Sequence, residues 1–166
     1  VNPSLHSANT HQATRAGWLL RWWPAIVWAI VISVFSTKFF AASNTAGIII
    51  PILHWLFPRV SLVALADWHE LIRKCGHFVE YFILSVLILR GLRAGRRESH
   101  LAWALLAILL VAGYASMDEF HQRFVPGRTP AVRDVLIDTT GGIVAQIAAA
   151  LAFVGEDARA ARARRE

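Results

Sequence analysis

The sequence predicts an all-α polytopic membrane protein: a four-transmembrane-helix bundle with an interfacial or re-entrant segment between its first and second helices. Composition is the first reason, because 56% of the 166 residues are hydrophobic, only 17% are charged, and mean hydropathy is +0.47. A soluble domain needs more polar surface than that. Segmentation is the second: long charge-poor stretches approach the roughly 20 residues that cross a hydrocarbon core about 30 Å thick. Arginines and tryptophans at their borders are the third, since both residue types anchor helices at membrane interfaces. A chain of this length holds four or five spans with short loops and no separate soluble domain.

Residues 1–17 are polar, rich in Ser, Asn, Thr and His, and read as a flexible tail. The first span is placed at 22–40, uncharged from Trp22 to Thr37, with Trp18, Trp22, Trp23, Arg15 and Arg21 at its entry and Lys38 at its exit. Its apolar run is long for a signal peptide, so we expect an uncleaved anchor although Ala41, Ala42 and Ser43 resemble a weak cleavage site. Residues 41–66 contain the apolar run Ile48 to Phe57, interrupted by Pro51 and His54. Ten residues are too few to span, which suggests an interfacial or re-entrant piece lying over whatever site the bundle holds.

The second span, 71–89, is lopsided, with Arg73, Lys74, His77, Glu80 and Tyr81 in its first half. Residues 101–117 form a third span without charge. The fourth, 135–154, has one charge, Asp138, and small residues including Gly141, Gly142, Ala145 and Ala148, which let helices approach closely in lipid. The transmembrane domain thus covers 18–155, and 156–166 is a basic tail.

The formal charge of +6 and sequence pI near 10.7 would suggest nucleic-acid binding in a soluble protein. Here the basic residues flank apolar segments, so no nucleic-acid partner is expected and membrane lipids are. Ten of the seventeen lie in the tails and the Arg90-to-Arg97 loop, which places both termini in the cytoplasm of a multi-pass protein of the cell membrane. The single cysteine, Cys75, excludes an intrachain disulfide.

With four antiparallel spans, three distant segments meet at the outer end: the start of span two, the end of span three and the start of span four. Lys74, His77 and Tyr81 share a helical face, and Glu80 is one i,i+3 step from His77. Asp134 and Asp138 are four apart, and Asp118, His121 and Gln122 share a face if the third helix runs past Met117. So many ionisable groups at bilayer depth argue for a water-accessible pocket. The run from Phe124 to Arg128 supplies a turn, Pro126 fixing its own φ and Gly127 able to take φ > 0.

The three segments closely resemble the VanZ-like family pattern: Arg73-Lys74-Cys75-Gly76-His77-Phe78-Val79-Glu80-Tyr81, then Asp118-Glu119-Phe120-His121-Gln122-Arg123-Phe124-Val125-Pro126-Gly127-Arg128, then Asp134 with Asp138 and Gly141. With the spans between them the resemblance covers about Trp22 to Val154. It implies a small polytopic membrane protein, in a family named for a member associated with resistance to the glycopeptide teicoplanin. It supplies no catalytic assignment. Asp138 departs from the pattern, standing where many members carry Asn.

Three functions compete on these residues. The first is catalysis on an anionic lipid-linked envelope intermediate such as a polyprenyl phosphate. His77 or His121 would be base or nucleophile, oriented by Glu80, Asp118 or Glu119, and Lys74, Arg123 and Arg128 would hold phosphate, with Tyr81, Gln122, Asp134 and Asp138 completing the site. The second is binding without turnover, in which the pocket holds a cell-wall precursor or an antibiotic and alters glycopeptide access. The third is metal or proton handling, for which Glu80, Asp118, Glu119, His121, Asp134 and Asp138 offer ligands to a divalent cation while Lys74 and Arg128 oppose one. No cofactor is required by the sequence, the oligomeric state is open, and a buried ion-pair network that merely locks the helices is the bland alternative.

Overall fold

The computed structural model describes the backbone of residues 3–93, 100–126 and 131–163. Among these residues the secondary structure is wholly helical: α1 (Pro3–Phe35), a short 3-10 turn at Lys38–Phe40, α2 (Ala42–Leu56), α3 (Leu62–Arg93), α4 (His100–Gln122) and α5 (Val132–Ala163). Four segments are long and apolar enough to cross a membrane, Lys38–Leu56, Leu62–Arg93, Leu101–Gln122 and Val132–Gly155, with Leu19–Phe35 a shorter apolar helix. The chain is therefore a multi-pass membrane protein built as a helical bundle.

Several expected boundaries move. The segment 1–17, expected as a flexible tail, continues α1 from Pro3. Proline suits the first helical turn, and a helix already nucleated by the apolar span extends cheaply through polar residues. At the other end α1 stops at Phe35, short of residue 40, where Thr37 adopts an extended conformation (φ −73°, ψ 168°) and the chain turns. The segment read as too short to span is longer than its apolar core. Uncharged Ala42 to Thr45 join the helix, and the helix runs through Pro51, a residue better tolerated in lipid-embedded helices than in soluble ones.

The second span also begins earlier, at Leu62 in place of residue 71, because Ser61 caps it: its Oγ accepts the amide of Ala64 at 3.3 Å and its carbonyl accepts that of Leu65 at 3.0 Å. The resulting 32-residue helix is about 48 Å long at 1.5 Å per residue, more than a hydrocarbon core needs. Its first part pairs with α2 as an antiparallel hairpin, and its second part enters the bundle with α1, α4 and α5. Pro126 follows the last turn of α4, whose end tightens into i→i−3 bonds from Arg123, Phe124 and Val125. Gly127 and Arg128 of the expected turn, and residues 94–97 of the expected loop, lie outside the described residues.

Small residues set the packing of α5, as expected. A methyl group added at Gly141 would stand 2.4 Å from the carbonyl oxygen of Phe78 on α3, and one at Gly142 would stand 2.8 Å from Val111 on α4. At this crossing the Ser85 hydroxyl donates to the Gly142 carbonyl at 3.0 Å, and Gln146 Nε2 donates back to Ser85 Oγ at 2.7 Å. Below lies the apolar core of Ala25, Ile32, Leu84, Ile88, Ala107, Val111 and Ala115. The far end is closed by Trp22 over Gly91 and by Arg93 stacked 3.6 Å from the Phe153 ring, so α1 enters and α5 leaves on the basic side.

Gly141→Ala should therefore destabilise the protein by about 1–3 kcal/mol, the usual range for overpacking against an unyielding neighbour. Gly113→Ala, with open space around its Cα, serves as the control. Melting in detergent, read as loss of the monodisperse peak after heating, measures both; equal melting temperatures for the two variants would refute the Gly141 contact.

Candidate functional site

At the end opposite Trp22 and Phe153, helix periodicity brings the polar residues into two groups that share a wall. The first joins α3 to α5. His77 adjoins Phe78 and Asp138 lies one turn before Gly141, and their Nδ1 and Oδ1 approach to 3.3 Å, within ion-pair distance. Both atoms are buried and neither has a hydrogen bond elsewhere. Tyr81, one turn further along the same face of α3, is wholly buried, its ring 6.2 Å from that of Tyr114, and its hydroxyl has no hydrogen bond.

The second group joins α1 to α4. Ser36 Oγ donates to Asp118 Oδ2 at 2.6 Å and Gln122 Nε2 donates to the same oxygen at 3.0 Å, with all three side chains buried. Asp118 and Gln122 are four apart on α4, so helical geometry alone puts them side by side. Ser36 reaches them because α1 ends there and its last turn faces α4. Nearby, Tyr114 donates to the Ala29 carbonyl at 2.6 Å and Trp28 Nε1 donates to the Glu80 carbonyl at 2.8 Å, fixing α1 against α4 and α3.

Between the end of α1 and the start of the hairpin a cleft of about 230 Å³ opens, lined by Phe35, Ser36, Phe40, Thr45, Arg73, Gly76, His77 and Glu80. Arg73 crosses it to donate to the Phe40 carbonyl at 3.0 Å and, more weakly, to Thr45 Oγ1 at 3.5 Å. Thr45 also meets His69 Nε2 at 3.0 Å. The rim is aromatic, with Phe35 and Phe40 edge-to-face at 4.9 Å and both exposed.

Of the residues singled out from the sequence, His77 and Glu80 line this cleft, and Asp138 stands behind His77. Asp118 and Gln122 meet Ser36 in the adjoining cluster. Asp134 is half-buried within electrostatic reach of His77, Glu119 and Asp138. Glu119 accepts the backbone amide of Ala131 just before α5, a position that favours a carboxylate near a helix N-terminus. Lys74 is pulled out of the group by Glu70 one turn back. His121 and Arg123 are exposed, Arg123 lying over the Phe120 ring at 5.8 Å. Arg128 lies outside the described residues. Among the described residues no group of three or more His, Cys, Asp and Glu side chains is arranged to hold a metal ion.

Ser36, Thr45 and the aromatic rim were not legible beforehand. They lie in or next to segments read as span or linker, and an isolated hydroxyl in an apolar run carries no spacing signal. A sequence cue does separate Arg73 from its neighbour: Glu70 stands four residues before Lys74, the favoured order for a helical ion pair.

If the Ser36–Asp118–Gln122 cluster acts as a unit, Ser36→Ala and Asp118→Ala will not add. We expect a double-mutant coupling of about 0.5–3 kcal/mol, the range for side chains sharing a buried network. Unfolding of the two single variants and the double variant in one detergent measures it, and strict additivity would dissolve the cluster.

The three sequence segments that meet here span most of a recognised family pattern. The VanZ/LLP1 family model matches residues 21–153, from the entry of α1 through the lipid-facing part of α5. No curated protein and no solved structure matches the chain. The match contains both helix pairings that build the site as well as the cleft between them, and on that coverage the chain belongs to the VanZ/LLP1 family.

Proposed function

We propose that the cleft takes the anionic head group of a lipid-linked cell-envelope intermediate, a polyprenyl phosphate being the simplest example, and that His77 acts on it. The single observation that carries this reading is the His77–Asp138 contact at the wall of a cleft that also contains Arg73. A carboxylate on Nδ1 fixes the imidazole tautomer and orientation, which leaves Nε2 as the nitrogen that faces chemistry. Arg73 spends one nitrogen on Phe40 and Thr45, and the rest of its five-donor fork suits phosphate oxygens.

In the reaction this arrangement favours, Nε2 takes a proton from water as its oxygen attacks phosphorus. The P–O bond to the lipid alcohol breaks, and the proton passes to the leaving oxygen. Glu80 stands on the same wall. The exposed Phe35 and Phe40 rim gives the apolar tail a route into lipid, so that only the head group need enter. The basic end, with Arg90, Arg93, Arg159 and Arg162, is cytoplasmic by the excess of cations on that side, and the cleft then opens toward the outer leaflet.

Binding and turnover separate in one experiment. Purified protein is incubated with a radiolabelled polyprenyl phosphate, and retained lipid and released phosphate are both counted. His77→Ala and Asp138→Asn should cut release by about 100-fold or more with binding retained, within the range of general acid–base contributions. Arg73→Ala should weaken binding itself. Binding without release in the parent protein would reduce the reading to capture of the lipid; full release in His77→Ala would remove His77 from the reaction.

A further inference from the structure

The hairpin of α2 with the start of α3 is a two-faced element, and its apolar face is left exposed by the described residues. On α2, Thr45, Ile49 and Leu53 recur at helical spacing on the side turned to α3, and Leu65 and His69 answer from α3, both buried. The opposite side of α2 carries Ile48, Pro51, Ile52 and Trp55, all exposed, with Trp55 at 80%. No residue of α2 is buried, and among the described residues the helix packs mainly against α3 and the preceding 3-10 turn.

Over the same length, α3 turns a charged stripe outward, flanked by exposed Val63 and Leu71. Asp67, Glu70 and Lys74 follow one another at i, i+3 and i+7, roughly opposite Leu65 and His69. Glu70 pairs with Lys74 and lies within electrostatic reach of Arg133 at the start of α5. One side of the hairpin is thus wholly aliphatic and aromatic, and the hairpin's exposed charges lie on the other, a division found in elements that rest in the interface of a membrane.

Depth agrees with that division. His77 pairs with Asp138, six residues into α5, so the start of α5 is level with about Leu71. The nine residues of α3 before that level reach about 14 Å further. That distance is on the scale of the head-group layer, about 5–8 Å on each side of the core, plus one turn. The exposed apolar surface of α1 at Ile30, Val34 and Phe35 also runs on through Phe39 and Phe40 into Ile48 and Ile52. Lipid that covers the first set meets the second without a break.

We infer that the α2 face of the hairpin is seated in the phospholipid leaflet at the site end of the bundle, with Ile48, Ile52 and Trp55 among head groups and first methylenes and the Asp67–Glu70–Lys74 stripe turned to water. A surface covered by a second copy of this chain is the rival occupant. The inference stands whether or not the cleft turns over a lipid. If it holds, Phe40 and Thr45, at the root of the hairpin, place one lip of the cleft at lipid level.

Site-directed spin labelling tests it in the full chain reconstituted in phosphatidylcholine–phosphatidylglycerol vesicles. In a Cys75→Ser background, labels are attached at Ile52→Cys, Trp55→Cys and, for the charged face, Asp67→Cys. Relaxation by oxygen, which concentrates in lipid, should exceed relaxation by a water-soluble nickel chelate several-fold at positions 52 and 55. The ratio should reverse at position 67. Water-like ratios at 52 and 55 would overturn the inference, as would strong dipolar broadening there that vanishes on dilution with unlabelled protein, since the face would then be covered by a second copy. Labels on both faces share one hairpin, so a hairpin that fails to form gives water-like values at all three positions and also counts against it.

Discussion

The close approach of α3 and α5 at Gly141 is the contact on which the site depends. Only a residue without a side chain lets the Phe78 carbonyl come so near, and that distance fixes the register of the two helices. Toward the cleft, the same register sets His77, next to Phe78, against Asp138, one turn before Gly141; toward the basic end it sets Ser85, two turns beyond Phe78, against the Gly142 carbonyl. In lipid, packing of small residues and interhelical hydrogen bonds must hold helices together, because burying apolar side chains gains little when the solvent is itself apolar. The glycine therefore supports the bundle and aligns the acid with the imidazole by one geometric fact.

The acids of the site divide by environment. Asp118 Oδ2 accepts from both Ser36 and Gln122, and Glu119 is engaged by the backbone before α5, so both tie chain ends to the bundle. Asp138 Oδ1 has no such hydrogen bond among the described residues and faces His77 Nδ1 at 3.3 Å. A buried carboxylate oxygen set against an imidazole and otherwise without a hydrogen bond is an arrangement found at reactive sites more than in purely structural networks. The bland reading, an ion-pair lattice that only locks the helices, describes the α1–α4 side well and the α3–α5 side poorly.

Much of this was written in the sequence, and the failures have identifiable causes. Helical spacing put His77 and Tyr81 on one face and Asp118 beside Gln122, and chain direction brought the three segments to one end. What spacing does not give is rotation about the helix axis. Lys74 and Arg73 are neighbours, and which of them enters the cleft was decided by Glu70 drawing Lys74 away. Arg123 falls outside the site because α4 ends at Gln122, and His121, still within the helix, is turned outward by the same rotation that buries Asp118 and Gln122. Ser36 and Thr45 come from segments where nothing periodic marks a hydroxyl as special. The extent of the hairpin is not legible from hydropathy, because the apolar run starts at Ile48 whereas the helix starts at Ala42 and α3 starts at the Ser61 cap.

The same hairpin explains why one arginine can serve a cleft in so basic a chain. Arg73 is tied to the Phe40 carbonyl at the place where α1 gives way to α2, so the strap that closes the cleft and the cation within it are parts of one contact. An isolated guanidinium at membrane depth would be costly; bonded to a backbone carbonyl and opening onto a cleft, it is tolerated and held in position. A phosphate oxygen entering the cleft could then be met by the remaining donors without Arg73 leaving the strap, and the cleft would keep its shape as the charge arrives. Such preorganisation favours a site that acts on an anion over one that merely admits it, because donors fixed before the ligand arrives need not be reorganised as charge develops.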